Sequence, residues 1–200
     1  MIYIVGIGPG HIDYILKKAE NIIKNSDYVI GFSRAIDTLE PIIKGEKIKV
    51  KTLKEILNYM EGLDGDISVL ASGDPLFYGI SDYISKNFNG DFEVIPGISS
   101  FQYLTAKTKK VWSRALLGSM HGRDEDFLVT VKNNSKTIWL TDNKNTPKSL
   151  CEILIKNNIG CTVIVGENLS YDDERIVEGN PKDILNYDFS NLSVMMVEVK

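Results

Sequence analysis

Apolar positions along the chain fall into two regimes. Ile2 to Ile7, Tyr28 to Gly31, Ile48 to Val50, Ile67 to Ala71 and Phe92 to Ile95 form short, nearly continuous apolar runs, the pattern of strands buried on both faces. Between them, apolar residues recur every three or four positions: Ile12, Ile15, Leu16, Ala19, Ile22 and Ile23 share one helical face, as do Leu53, Ile56, Leu57 and Met60. Phe32 to Ile42 and Ile80 to Ile84 complete the alternation, which predicts a mostly parallel sheet with helices.

Lys107 to Arg114 is polar and basic, and it interrupts that rhythm. It divides the chain into an N-terminal lobe, residues 1–110, and a smaller C-terminal lobe, residues 111–200. In the second lobe, strands are expected from Leu116 towards His121-Gly-Arg123 and over 137–142, 161–165, 174–177 and 192–199, with helices over 124–131, 147–157 and 181–187. Neighbouring strands with few crossovers predict a mixed sheet. The fold class is α/β, in two lobes.

Three strands of the first lobe end in abrupt turns: Gly6-Ile-Gly-Pro-Gly10, Ser72-Gly-Asp-Pro75 and Pro96-Gly-Ile-Ser-Ser100. Ligands of open α/β sheets bind beyond the carboxyl ends of the strands, which makes these turns candidate binding lips. The first is not a dinucleotide fingerprint. Its spacing is G-x-G-x-G, Pro9 offers no amide hydrogen to a pyrophosphate, and no acidic residue closes the second strand. Ser99 and Ser100 belong to the first turn of a helix, where hydroxyls and free amides face outward. With no lysine in any of the three, the pocket is expected to take a neutral or zwitterionic ligand.

Composition narrows the classes further. A net charge of −4 argues against a nucleic-acid partner, which requires a basic face. No apolar run approaches the roughly 18 residues of a membrane span, and Met1-Ile-Tyr-Ile-Val-Gly6 enters a strand without a basic leader, so the expected location is cytoplasmic. Cys151 and Cys161 are too few for a disulfide framework or a zinc site, and no metal is expected.

Together with Phe77-Tyr-Gly79, Ser119-Met-His-Gly-Arg123, and Gly166-Glu-Asn-Leu169 leading to Asp173-Glu-Arg-Ile176, the three turns resemble the tetrapyrrole methylases. These are S-adenosyl-L-methionine-dependent enzymes unrelated to Rossmann methyltransferases, and the resemblance covers essentially the whole chain. The extended third turn and the Ser-Met-His-Gly-Arg segment favour the branch that methylates carbon 5 of a late cobalt-precorrin in anaerobic cobalamin synthesis. The resemblance implies a homodimer of two-lobed subunits, with S-adenosylhomocysteine as product. Some relatives carry a fused carbon-15 methyltransferase and decarboxylase domain; the chain lacks one, so a separate partner is expected to supply that step.

Carried over by motif, the donor would touch Ile7, Gly8 and Pro9 in the first turn, Gly73, Asp74 and Phe77 in the second, and Ser99 and Ser100 in the third. From the second lobe, Leu140, Thr141, Glu167, Asn168 and Leu169 would close over the adenine side. His121 and Asp124 are candidates for the base that takes the proton released from the ring carbon, whereas His11 is expected to face solvent or the dimer surface. Arginine suits the carboxylate-rich rim of the substrate, which points to Arg34, Arg114 and Arg123, with Arg175 expected in a solvated surface pair with Asp173 and Glu174. Two alternatives stay open: a relative acting on another precorrin carbon or on a diphthamide precursor, and a non-catalytic nucleotide-binding module.

Overall fold

In a computed structural model, which describes residues 1–120 and 125–200, the chain divides into two compact units, Met1–Ser100 and Phe101–Lys200. The first holds strands β1 (Ile2–Gly6), β2 (Tyr28–Phe32), β3 (Glu46–Val50), β4 (Ile67–Ala71) and β5 (Glu93–Ile95) in the order β3-β2-β4-β1-β5, all parallel. Alternate residues of each strand feed two separate cores, as the two-residue period of a strand requires. Val5, Val29, Leu70 and Ile95 pack with helices α1 (Lys17–Asn25) and α2 (Ser33–Leu39). On the opposite face, Ile4, Ile30, Val69 and Ala71 pack with α3 (Leu53–Gly62) and α4 (Ser81–Asn87).

Two expected helices are shorter than their periodicity suggested. The pattern from Ile12 to Ile23 splits into a single 3-10 turn, Ile12–Tyr14, and helix α1, because Ile15 and Leu16 both adopt extended backbone angles. Ile12 and Ile15 still pack on the core, so the apolar face persists where the helix does not. Helix α2 stops at Leu39 and continues only as a 3-10 turn over Glu40–Ile42, since Pro41 has no amide to donate back along the helix.

The second unit contains helix α5 (Ser100–Thr108) except for its first residue, so it takes in the basic stretch that served as the lobe boundary in the sequence. Its strands are β6 (Leu116–Ser119), β7 (Lys136–Leu140), β8 (Cys161–Glu167), β9 (Arg175–Gly179) and β10 (Ser193–Val199), in the order β6-β7-β10-β8-β9. β6 and β7 are parallel and the remaining pairs antiparallel, so the sheet is mixed. Helices α6 (Phe127–Asn133), α7 (Pro147–Lys156) and α8 (Pro181–Ile184) cover one face of it. At the centre of that core Trp139 is fully buried, edge-on to Phe127 with centroids 5.1 Å apart, and its indole N–H donates to Thr137 Oγ1 at 2.8 Å. Both cysteines are free and buried, and burial, with Cys161 nearby, pushes the Cys151 thiol up to about 12.

Candidate functional site

β4, β1 and β5 are neighbours in the parallel sheet, so the turns that follow them lie side by side at its carboxyl edge. Backbone hydrogen bonds tie the first two together. Ile7 N–H donates to Ala71 O at 3.0 Å, and Gly8 and Gly73 exchange N–H···O bonds of 3.3 and 2.8 Å. Gly8 holds φ +78, a left-handed conformation in which a side chain would also meet the Tyr14 carbonyl oxygen at 2.8 Å.

Asp74 ties the second turn to the third. One carboxylate oxygen accepts the amide of Leu76 at 2.8 Å within its own turn, and the other accepts the amide of Gly97 at 3.2 Å. The first and third turns are in van der Waals contact. A Cβ built on Gly6 would lie 2.6 Å from Gly97 N, and one built on Gly97 would overlap the Gly73 carbonyl oxygen. Three stretches lying between Gly6 and Ser100 thus form one backbone-lined cradle that carries a single charge, Asp74.

Beyond Asp74 the chain leaves the turn under strain. Tyr78 sits at φ 52, an outlier for a bulky residue that costs about 1–3 kcal/mol. It is held by Phe77 N–H to Asp74 O at 3.2 Å, by Ser81 N–H to Pro75 O at 3.2 Å, and by an edge-on contact of its ring with Phe77, centroids 5.0 Å apart. In the third turn Ser99 is buried and Ser100 opens helix α5. The expected residues of the first unit, from Ile7 to Ser100, are therefore gathered at one sheet edge.

The second unit brings its own expected group together. Strand β10 lies between β7 and β8, with Val194 paired to Leu140 and to Gly166, and Ser193 paired to Glu167. Their polar side chains, however, are occupied inside the unit. Thr141 Oγ1 donates to Ser193 O at 2.9 Å. The Glu167 carboxylate, almost fully buried, pairs with Arg175 and accepts the Ser190 amide. Asn168, at φ 47, donates from Nδ2 to Asp173 at 2.7 Å and accepts from Ser190 Oγ at 2.8 Å. Of the two leucines in this group, Leu140 is half-buried and Leu169 is buried. Arg175 also departs from expectation. Its carboxylate partner is Glu167, and its guanidinium lies over Tyr187 and Phe189 at 5.8 and 5.3 Å, while Asp173 and Glu174 bond Asn168 and the Ser170 amide.

His121, Arg123 and Asp124 lie outside the described residues. Arg34 is exposed in the first turn of α2, directly after β2, and Arg114 is exposed in the segment leading to β6. His11 accepts the Asp13 amide on Nδ1 at 3.2 Å and keeps 43% of its side chain exposed. Sequence reasoning missed the Asp74 bond to Gly97, the conformation of Tyr78 and the support of Glu167 by Ser190. An Asp before Pro in a turn is a weak signal for the first; no local signal marks the other two. Among the described residues, no three His, Cys, Asp or Glu gather as a metal site.

A parallel α/β unit with a stitched, lysine-free cradle at its carboxyl edge, and a second unit built on a mixed sheet, define a two-unit α/β protein. Residues 1–185 match the profile of the Tetrapyrrole (Corrin/Porphyrin) Methylases, and the chain belongs to that family. It is 37% identical, over 99% of its length and 98% of the relative's, to a Methanocaldococcus jannaschii protein named "Probable cobalt-precorrin-7 C(5)-methyltransferase". Among solved structures, it resembles a precorrin-6Y methylase of Archaeoglobus fulgidus with TM-score 0.78 and 24% identity, covering 100% of this chain and 98% of that one. A uroporphyrin-III C-methyltransferase from Thermus thermophilus, crystallised with S-adenosyl homocysteine, matches at TM-score 0.77 and 16% identity over 98% and 91% of the two chains.

Proposed function

We propose that this chain is an S-adenosyl-L-methionine-dependent methyltransferase that converts cobalt-precorrin-7 to cobalt-precorrin-8 by methylating carbon 5, in anaerobic cobalamin synthesis. The observation that carries this reading is the end-to-end similarity to a relative bearing that activity in its name, joined to a cradle suited to such a donor. The fit is chemical. A sulfonium nucleoside with a zwitterionic amino-acid arm needs backbone donors and acceptors at close range and a carboxylate near its positive charge, and the cradle has both with no competing cation.

When bound, the donor supplies a methyl group already activated by positive sulfur. The ring carbon contributes the electron pair of the new C–C bond, the C–S bond breaks towards sulfur, and the proton displaced from the ring carbon leaves to a base. The chain's own part is alignment and exclusion of water. The Gly8–Gly73 bridge and the Asp74–Gly97 bond fix the three turns relative to one another, so that donor contacts through Ile7, Pro9, Phe77, Ser99 and Ser100 are set before binding. Leu140, Thr141, Glu167, Asn168 and Leu169 are assigned to the adenine side, through backbone contacts and the half-buried Leu140 side chain. His121 or Asp124 takes the released proton, and Arg34, Arg114 and Arg123 meet substrate carboxylates. The working form is a homodimer in the cytoplasm, with carbon 15 treated by a separate protein.

Calorimetry tests the donor site: S-adenosylhomocysteine binds in the micromolar range and NAD does not. Binding of NAD with no heat from the sulfur nucleotide would refute it.

A further inference from the structure

We propose that Leu76 and Tyr78, on the loop leaving the second turn, form the surface on which the flat face of the acceptor macrocycle rests. This rests on the methyltransferase reading and specifies where its second substrate lies. Leu76 is two residues past Asp74 and is 71% exposed. A lone exposed leucine is ordinary. This one is rigidly presented: its amide is held by Asp74 at 2.8 Å, and the loop closes on itself through Ser81 N–H to Pro75 O at 3.2 Å.

Tyr78 adds a second, independent observation. It occupies the left-handed region at φ 52, while Gly79, which would sit there without strain, is the next residue along. An aromatic ring kept at a strained position beside a binding turn points to a function for the ring. The same sheet edge carries a further exposed aromatic residue. β2 adjoins β4, with Ile30 paired to Val69, and it ends at Phe32, which is 39% exposed. Arg34 follows two residues later and is exposed.

The chemistry of the acceptor matches this arrangement. A corrin-like ring is broad, flat and apolar at its centre with carboxylates at its edge, so it calls for leucine and aromatic faces bordered by a cation. In-line transfer needs the ring carbon within roughly 3–3.5 Å of the donor methyl, so the acceptor surface has to adjoin the donor cradle. Leu76 and Tyr78 belong to the loop that continues directly from Asp74.

The test uses the full chain and two variants, Leu76→Ser and Tyr78→Asn; asparagine tolerates the left-handed backbone. Calorimetry with cobyrinic acid, a corrin bearing free carboxylates, reads acceptor binding without turnover, and calorimetry with S-adenosylhomocysteine reads the donor cradle. Each variant is expected to weaken corrin binding by about tenfold and to raise KM for cobalt-precorrin-7 similarly, with donor affinity within about twofold of wild type. Leu76→Met is expected to restore corrin binding. Unchanged corrin binding in both variants, or equal losses of corrin and donor binding, would overturn the assignment. If the unaltered protein binds the sulfur nucleotide but neither corrin nor precorrin, the methyltransferase reading itself fails, and the acceptor surface with it.

Discussion

The Asp74 carboxylate accepts the amide of Gly97 at 3.2 Å, joining the turn after β4 to the turn after β5 on the far side of β1. The same carboxylate holds the Leu76 amide at 2.8 Å, so it fixes both its own turn and its neighbour's. The one charge in the cradle therefore shapes the cradle.

Replacing Asp74 should damage both binding and folding. Hydrogen bonds to a charged group are worth about 1.5–3 kcal/mol when removed, and Asp74→Ala loses two, both near the surface. We expect a stability loss of about 1–3 kcal/mol in urea unfolding, with S-adenosylhomocysteine affinity down by at least about tenfold. Asp74→Asn retains one acceptor and should fall between. Unchanged donor affinity in Asp74→Ala would place the donor elsewhere.

Gly97→Ala examines the close approach of the third turn to the second, and to Gly6 at the start of the first. The new methyl group would overlap the Gly73 carbonyl oxygen, a backbone atom that cannot swing aside as a side chain can. Overpacking of this kind costs about 1–3 kcal/mol. The expected outcome is a lowered melting temperature and loss of detectable donor binding, whereas Gly62→Ala, where the added Cβ meets nothing within 4 Å, should bind the donor as wild type does.

Glu167→Gln probes whether the edge of the second unit acts through its backbone. The carboxylate is almost fully buried, pairs with Arg175 and accepts the Ser190 amide, so neutralising it leaves the arginine without a counter-charge. Arg175 is partly exposed, which reduces the penalty below that of a fully buried pair, to about 1–3 kcal/mol in urea unfolding. Donor affinity should fall mainly in proportion to local disorder around Asn168. A larger fall in affinity with no loss of stability would mean that the carboxylate itself touches the donor.

The second unit should weaken in acid through Glu198. Burial opposes ionisation of this carboxyl, but hydrogen bonds from Lys110 and Lys136 outweigh it and hold its pKa below the usual glutamate range. A depressed carboxyl pKa contributes stability above the unfolded value of about 4.3, and that contribution disappears as pH falls through the folded value. The stability gap between wild type and Glu198→Gln should be constant from neutral pH to about pH 5 and close below about pH 4. A gap that widens in acid would reverse the sign of the coupling.

Much of this architecture is legible in the sequence because apolar periodicity is strong where strands are buried on both faces. The run Ile67 to Ala71 coincides with β4, and the three turns announce themselves through glycine and proline. Periodicity fails where a local conformation keeps an apolar face without keeping a helix, as at Ile15 and Leu16. It also says nothing of partners distant in sequence. Arg175 stands next to Asp173 and Glu174, yet antiparallel pairing of β8 with β9 sets it against Glu167. The strain at Tyr78 is invisible for a similar reason: tyrosine has no preference for that conformation, and only closure of the loop around Asp74 imposes it.

The most direct measurement supplies cobalt-precorrin-7 together with S-adenosylmethionine labelled with carbon-13 in its methyl group, and locates the label in the product by NMR. The account predicts a new labelled methyl on carbon 5, formed at a rate that falls sharply in Asp74→Ala. Label on a different ring carbon, or no transfer by a protein that still binds the donor, would contradict it.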